Sequence, residues 1–232
     1  MKQLFLEKAH SDLELVVDDK VFKVHKNILS VRSKVLCKMI ETEMVEKKTG
    51  TIKLEQWDGV VVEQLLNYIY TDTCDMTITP FKLFQLSHYL DITPLEEMCK
   101  WHLKCNINVQ NIVQILELAN EDQYELSDLK TAAEKFVKSN EAILAKESTY
   151  VNYLIKSINL KNIAQILTFS QEYTIDTLMD KAIEYILSHH QEALKIEDCN
   201  QFFVSHPSLM LKLLGHSLQA MESMRTSKNE SH

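Results

Sequence analysis

The chain of 232 residues is 45% hydrophobic and 25% charged, a composition typical of a folded globular protein, which excludes disorder over most of its length. Its formal net charge of −8 removes the counterion release on which nucleic-acid binders depend, so we expect no nucleic-acid partner. Three glycines and three prolines are too few for a glycine-rich phosphate-binding loop, and their scarcity predicts a mainly helical protein.

The first fifty residues indicate mixed secondary structure. Residues 13–17 and 21–24 follow a strand pattern on either side of Asp18-Asp19, which predicts a β-hairpin. Apolar residues at helical spacing come directly after Ser33, which is a suitable N-cap for that helix.

One more strand and a series of helices are predicted after this region. Beyond a break at Gly50, Ile52 and Leu54 alternate with charged neighbours, which predicts a third strand. Helices then follow one another, and Asp58 and Thr79, the latter directly before a proline, are expected to cap two of them.

The second half of the chain contains an internal duplication. Residues 107–119 and 158–170 are identical at seven of thirteen aligned positions. The polar residues that both copies share are Asn108 and Asn159, Asn111 and Asn162, and Gln114 and Gln165. Each copy is predicted to form a helix pair of about fifty residues. The apolar stripe of such a pair has to pack against a neighbouring helix pair, as in stacked repeats.

These elements predict an α+β fold with several parts. We expect a small sheet with helices at residues 1–105, followed by an all-α region of helical hairpins. In that region the first copy should occupy residues 106–157 and the second copy residues 158–222, with a polar tail at 223–232.

No pattern in the chain is typical of an enzyme active site. We find no GxSxG, HExxH or P-loop motif, so no catalysis is expected. Cys99, His102 and Cys105 recur at a spacing that could bring them to one helix face. A structural zinc needs a fourth ligand, and no partner pair is present, so we interpret these cysteines as small thiols in a helix. We therefore expect neither a metal nor a cofactor.

Cellular location can be inferred from cysteine usage and from the absence of membrane signals. The five cysteines are an odd number without a CxxC pair, which predicts reduced thiols in the nucleus or the cytoplasm. No apolar run reaches the roughly 18 residues of a membrane span, so we expect no membrane partner.

A methionine stands in a strongly polar stretch between the predicted helix and the third strand, in the sequence Met44-Val45-Glu46. One interpretation is a single exposed apolar residue, which is common on protein surfaces. The other is an anchor that another protein covers, because burying a methionine at an interface contributes about 1.5–3 kcal/mol. Glu46 could then accept a charge-assisted hydrogen bond from the partner. The residues alone leave both interpretations open.

Several short motifs, taken in order, resemble the start of a BTB/POZ domain. They occupy residues 11–17, 22–29 and 32–36, and the YIYT element at residues 68–71. Residues 90–105 and 108–144 resemble the helices that follow this domain and the BACK domain. Residues 204–207 resemble the end of BACK in speckle-type POZ proteins. Over residues 11–220 the chain is similar to the BTB/POZ–BACK proteins of that family.

The resemblance implies a non-enzymatic adaptor that binds cullin-3 and assembles an E3 ubiquitin ligase complex for protein degradation. In that family the cullin contact motif is a hydrophobic residue, any residue and a glutamate, in the loop before the last strand of the sheet. Met44, Val45 and Glu46 match this motif in type and place. The first BACK helices extend the cullin contact as a 3-box, which would fall near residues 107–140.

The resemblance also implies dimerisation, either as a homodimer or as a heterodimer with other BTB proteins. The candidate dimer-interface residues are Leu4, Phe5, Leu6, Asp12, Lys26 and Ile28. Asp12 and Lys26 match the charged pair at the base of the dimer groove, and Ile28 matches a hydrophobic interface position. The alternatives are a surface ion pair worth less than about 1 kcal/mol and an ordinary core isoleucine.

The chain departs from the speckle-type proteins in three ways that affect the expected function. Only ten residues precede Ser11, so we expect no MATH domain, and we expect the first BTB helix, which packs across the dimer in that family, to be shortened to residues 1–8. We also expect the BACK region to be duplicated. We therefore expect an unknown substrate protein to bind the helical repeats or a partner chain. Two alternative functions are a BTB oligomerisation scaffold that does not bind cullin-3 and a competitive regulator of MATH–BTB adaptors.

Overall fold

The structure is a computed structural model that describes residues 3, 7–18, 20–41, 50–193, 195–207 and 210. The chain divides into two compact units. The first consists of residues 1–108 and 114–134, and the second of residues 109–113 and 135–232.

A three-stranded sheet opens the first unit. Strands β1 (Leu13–Val17) and β2 (Lys20–Val24) pair antiparallel, which confirms the predicted hairpin. Strand β3 (Thr51–Lys53) pairs parallel with the other edge of β1, so the strand order is β2-β1-β3. Gly50 precedes β3 with a φ of 66°, a left-handed conformation that glycine adopts without steric cost. Its carbonyl accepts a hydrogen bond from the Glu14 N–H at 2.9 Å and so begins the pairing of β1 with β3.

Helices make up most of the remaining described residues. In the first part of the chain they are α1 (Lys26–Arg32), α2 (Lys34–Glu41), α3 (Gly59–Thr71), α4 (Pro80–Tyr89) and α5 (Thr93–Cys105). They continue with α6 (Ile112–Ala119), a 3₁₀ turn (Asp122–Tyr124), α7 (Ser127–Ser139), α8 (Glu141–Leu144) and α9 (Ser148–Lys156). The last are α10 (Ile163–Glu172), α11 (Asp176–Ser188), α12 (His190–Ala193) and α13 (Glu197–Ser205). The structure therefore has a small sheet with helices, followed by a helical region. This arrangement confirms the predicted α+β fold.

Helix α3 forms the centre of the first unit. Its apolar residues Val61, Val62, Leu65, Leu66 and Ile69 are completely buried. A helix that is apolar on nearly every side belongs inside a domain core. The sheet, α1, α2 and α4 contribute further buried side chains, namely Leu15, Val17, Leu29, Leu36, Leu83, Phe84 and Leu86.

Three N-caps were predicted from the sequence, and the structure shows the hydrogen bonds at each of these helix starts. The Ser33 hydroxyl accepts from the Leu36 N–H at 3.0 Å and donates to the Leu90 carbonyl at 2.5 Å, so the prediction for α2 is confirmed. Asp58 and Thr79 occupy the N-cap positions of α3 and α4. Within the described part of the chain, however, neither side chain makes a capping hydrogen bond, so these two predictions were wrong. The Asp58 carboxylate pairs with Lys82 instead.

The second unit has its own apolar core, built mainly from α10, α11 and α13. Its buried residues include Ile163, Ile166, Leu167, Leu178, Ala182, Ile186 and Phe203. Before α10, the Asn159 side-chain amide donates to the Ser157 carbonyl at 2.9 Å. Before α6, the Asn108 amide donates to the Asn106 carbonyl at 3.1 Å. The two copies of the duplicated sequence therefore share a turn contact, although the assignment of the copies as BACK-like domains stays a prediction.

Three helix pairs are joined by turns of one kind. In each turn a residue with left-handed backbone precedes an apolar residue that leads into the next helix. These residues are Asp91 and Ile92 between α4 and α5, Glu125 and Leu126 before α7, and Thr174 and Ile175 between α10 and α11. The Ile92 N–H donates to the Ser87 carbonyl, and the Ile175 N–H donates to the Ser170 carbonyl, both at 2.9 Å. The α4–α5 and α10–α11 pairs thus have the same turn geometry, a relation that the sequence analysis missed.

Candidate protein-interaction site

The predicted cullin-contact residues Met44, Val45 and Glu46 lie outside the described residues. They fall in the chain between α2, which ends at Glu41, and Gly50, which precedes β3. These flanking elements are the helix and the strand between which the sequence analysis located the motif. The contact role of the three residues therefore stays a prediction.

Two of the predicted dimer-interface residues meet at the start of α1. The Asp12 carboxylate accepts a hydrogen bond from the backbone N–H of Lys26 at 2.8 Å. A carboxylate beside the first turn of a helix satisfies a free helix N–H and interacts favourably with the helix dipole. Asp12 thus stabilises α1 through the main chain of Lys26, a role that was not predicted and that leaves the predicted dimer role open.

The other predicted interface residues are placed as follows. Ile28 is half-buried on α1, while Leu4, Phe5 and Leu6 lie outside the described residues. Val31, one turn after Ile28 on the same helix, is 85% exposed. The sequence analysis missed Val31, although an apolar residue three positions after Ile28 falls on the same helix face.

His25, at the N-cap position of α1, connects three parts of the first unit. Its backbone N–H donates to the Tyr70 hydroxyl oxygen at 3.0 Å. Its Nδ1 lies 2.9 Å from the same oxygen, and its Nε2 lies 2.8 Å from the Ala9 carbonyl oxygen. Because a carbonyl oxygen only accepts, Nε2 carries the proton, and Nδ1 accepts from the Tyr70 hydroxyl. This network attaches the chain before β1 to α1 and to the last turn of α3.

The environment of Tyr70 agrees with a neutral hydroxyl in this network. Tyr70 is buried among the core residues of the first unit. Burial raises the pKa of Tyr70 because it disfavours the phenolate. The His25 backbone N–H lowers that pKa, since it would also donate to the phenolate, and Asp12 raises it.

The ends of α1 and α3 are held together by Arg32. Its guanidinium donates to the Tyr68 carbonyl at 3.2 Å and pairs with the Asp72 carboxylate. The guanidinium carbon also lies 5.4 Å from the centre of the Tyr68 ring, within the range of a cation–π interaction. These contacts fix the C-terminal end of α1 against the last turn of α3.

The three residues considered as metal ligands differ in their surroundings. Cys99 is buried, His102 is half-buried and Cys105 is exposed. The Cys99 sulfur lies 3.8 Å from the Met76 sulfur. Burial raises the pKa of Cys99 to about 12, so this side chain is a protonated core thiol at neutral pH. Within the described ranges, no group of three or more His, Cys, Asp or Glu side chains could hold a metal ion.

Residues 1–107 match the family described as the BTB/POZ domain. These residues form a BTB/POZ domain. The match confirms the BTB/POZ part of the resemblance, and it assigns residues 1–107 to a domain class that acts through protein–protein interaction.

Three similar proteins are named for Kelch, BTB or MATH regions. Kelch repeat protein M-T8 of Myxoma virus is 27% identical over 164 residues, which is 69% of this chain and 31% of the relative. Human Kelch repeat and BTB domain-containing protein 3 is 27% identical over 60% of this chain and 23% of its own length. BTB and MATH domain-containing protein 42 of Caenorhabditis elegans is 25% identical over 92% of this chain and 40% of its own length.

The chain therefore spans between 23% and 40% of the length of these three curated relatives. Among solved structures, the BTB domain of zebrafish PATZ1 aligns with a TM-score of 0.40 and 16% identity. That alignment covers 45% of this chain and 86% of the PATZ1 chain. In the part of the chain that the structure describes, no helix has both the length and the apolar character needed to span a bilayer.

Proposed function

We propose that the chain is an adaptor that binds cullin-3 through its BTB/POZ domain and so assembles an E3 ubiquitin ligase complex. The observation that carries the proposal is the BTB/POZ match over residues 1–107. In that match, the segment between α2 and β3 contains a hydrophobic residue, any residue and a glutamate, at Met44-Val45-Glu46. The BTB-containing relatives with Kelch or MATH regions support the same class of function.

The motif can account for specific binding through two physical contributions. Covering the Met44 side chain at an interface would contribute about 1.5–3 kcal/mol, which corresponds to about one to two decades in affinity. Glu46 would accept a charge-assisted hydrogen bond or face the N-terminus of a partner helix. A buried anchor beside an acidic residue thus favours a helical partner.

The test is a pull-down of the cullin-3 N-terminal domain with wild type, Met44→Glu and Met98→Glu. Met98 is 40% exposed on α5 and gives a matched methionine-to-glutamate control outside the motif. We expect wild type and Met98→Glu to bind, and Met44→Glu to lose most of the binding. A folded wild type that does not bind cullin-3 would contradict the proposal and favour the oligomerisation scaffold.

We also propose that the BTB/POZ domain dimerises, with itself or with other BTB proteins. The proposed interface contains Leu4, Phe5, Leu6, Asp12, Lys26 and Ile28, and we add the exposed Val31. A dimer would place two cullin-binding sites on one particle, which raises the effective concentration of ligase arms near a bound substrate. The substrate would bind the helical second half of the chain or a partner chain.

Dimerisation is measured by size-exclusion chromatography with light scattering. Wild type should elute with the mass of two 27.0 kDa chains, and Val31→Glu should shift toward one chain. Val204, which is 80% exposed on α13 in the second unit, provides the matched control Val204→Glu. If Val31→Glu stays as dimeric as Val204→Glu, Val31 is not part of the interface.

A further inference from the structure

A shallow apolar groove lies along α5 in the first unit. It has a volume of about 360 Å³ and is lined by Met76, Pro94, Glu97, Met98, Trp101 and His102. Trp101 is 68% exposed. The buried residues of α5 are Leu95, Cys99 and Leu103, which lie on a different side of the helix. The Trp101 and Met98 side chains therefore do not serve the core of the first unit.

The helix pair α10–α11 provides an internal control for this observation. When the two turns are aligned on Asp91 and Thr174, Met98 and Trp101 correspond to Lys181 and Glu184. Lys181 and Glu184 are exposed and form an ion pair at 2.7 Å. A helix pair with the same turn geometry thus carries charged residues at these positions. The apolar residues on α5 are consequently not required by the helix-pair geometry.

The apolar residues of this groove differ from isolated hydrophobic residues on a protein surface because they lie together. Single exposed apolar residues are common and carry no functional meaning. Here, however, the indole of Trp101 and the side chains of Met76, Pro94 and Met98 line one concave surface. Aromatic and methionine side chains in a concave site are enriched among the residues that anchor protein partners.

Two acidic residues line or adjoin this groove, namely Glu97, which lines it, and Asp75, which precedes the lining residue Met76 and interacts electrostatically with the lining residue His102. The Asp75 carboxylate accepts hydrogen bonds from the Thr77 N–H at 2.9 Å and from the Thr77 hydroxyl at 2.6 Å. These two bonds hold the pKa of Asp75 below its usual range, and His102 lowers it further, so Asp75 is ionised at neutral pH.

The second acidic residue, Glu97, is on α5 and lines the groove itself. It pairs with the Lys100 ammonium group at 3.0 Å. Lys100 also pairs at 2.7 Å with Glu96, which does not line the groove, so the lysine is shared between two carboxylates. Glu97 and Asp75 are therefore the acidic groups available to a cationic residue of a partner.

We propose that this groove docks a short segment of a partner protein that combines a large apolar side chain with flanking Lys or Arg residues. The apolar side chain would pack on Trp101 and Met98, and the cationic residues would face Asp75 and Glu97. The residues that line the groove are not those of the Met44–Glu46 motif, so the proposal does not depend on cullin-3 binding. It gives the first unit a second binding function.

The intrinsic fluorescence of Trp101 can report binding directly. The chain has two tryptophans, Trp57 and Trp101, so the Trp57→Phe variant of the full chain leaves Trp101 as the only reporter. The probe is the synthetic peptide GKRSFLKRSG, with GEESFLEESG as the charge-reversed control and GKRSSSKRSG as the control without apolar residues. We expect a saturable change in Trp101 emission with the first peptide, and at least tenfold weaker binding of both controls.

Variants of the groove are tested with a fluorescein-labelled copy of the first peptide by anisotropy. We expect Trp101→Ala and Glu97→Lys each to weaken binding at least fivefold. Glu117→Lys, an identical charge change at an exposed position of α6, should bind like wild type. Circular dichroism establishes that each variant is folded, which is expected because Trp101 and Glu97 are exposed.

Four results of the peptide and fluorescence experiments would overturn the proposal. They are the absence of peptide binding, equal binding of the charge-reversed peptide, wild-type affinity of Trp101→Ala, and a change in Trp101 emission with protein concentration alone. The last result would show that a second copy of the chain covers the groove. Loss of cullin-3 binding by Met98→Glu would also overturn it, because cullin-3 itself would then occupy this surface.

Discussion

The His25–Tyr70 network predicts a defined stability loss on removal of a single oxygen atom. Tyr70→Phe keeps the buried ring and deletes the hydroxyl that accepts from the His25 backbone N–H and donates to His25 Nδ1. Both His25 groups then lose their partner beside the core. The Nε2 bond to the Ala9 carbonyl stays possible, but the imidazole is held from one side only.

The magnitude follows from these two hydrogen bonds. A typical intramolecular hydrogen bond contributes about 0.5–1.5 kcal/mol net, and a buried donor without a partner costs about 1–3 kcal/mol. We therefore expect Tyr70→Phe to lower the free energy of unfolding by about 1–3 kcal/mol. The packing of the ring is unchanged, so no cavity contribution is added.

The assay is urea denaturation followed by circular dichroism. The midpoint should fall while the slope stays constant, which marks a change in stability alone. Tyr89→Phe, at a 44% exposed position of α4, is the matched control and should change the stability by less than about 0.5 kcal/mol. A double-mutant cycle with His25→Ala should give a coupling energy of at least about 0.5 kcal/mol. A Tyr70→Phe loss no larger than that of Tyr89→Phe, or zero coupling, would refute the proposed network.

Two further changes test other contacts. Ser33→Ala removes both the cap of the Leu36 N–H and the hydrogen bond to the Leu90 carbonyl. We therefore expect urea denaturation to show a free energy of unfolding lower by about 1–3 kcal/mol. A decrease of less than about 0.5 kcal/mol would exclude this double role. Burial raises the pKa of Tyr150 to about 12, so the folded chain keeps this proton at a pH where the unfolded chain, with an ordinary value near 10, releases it. Stability should therefore fall as the pH rises from about 10 to 12. Tyr150→Phe should show a smaller fall in its urea midpoint over that range, and identical slopes for both proteins would contradict this assignment.

The features that could be predicted from the sequence are those set by neighbouring residues. The hairpin follows from alternation around Asp18-Asp19, and the Ser33 cap bonds a backbone group only three residues away. The predicted cap at Asp58 failed because its carboxylate pairs with Lys82, which comes 24 residues later in the chain. Local sequence patterns identify candidate caps. Whether a candidate side chain caps its helix also depends on ion-pair partners that are distant in the sequence.

The features that were missed depend on distant or backbone contacts. His25 and Tyr70 are 45 residues apart, and no spacing rule connects them. The repeated turn of α4–α5 and α10–α11 is defined by the left-handed backbone of Asp91 and Thr174, which the side chains do not reveal. Trp101 could have been recognised, because it lies off the apolar stripe of its own helix.

The most direct test of the central claim is isothermal titration of the full chain with the cullin-3 N-terminal domain. We predict one cullin-3 domain bound per chain by wild type, and a loss of about ten- to one-hundredfold in affinity for Met44→Glu, as expected for a buried methionine anchor. Glu46→Lys should also weaken binding, because it replaces the hydrogen-bond acceptor with a cation. Equal affinity of wild type and Met44→Glu, or no heat of binding from a folded wild type, would contradict the adaptor function.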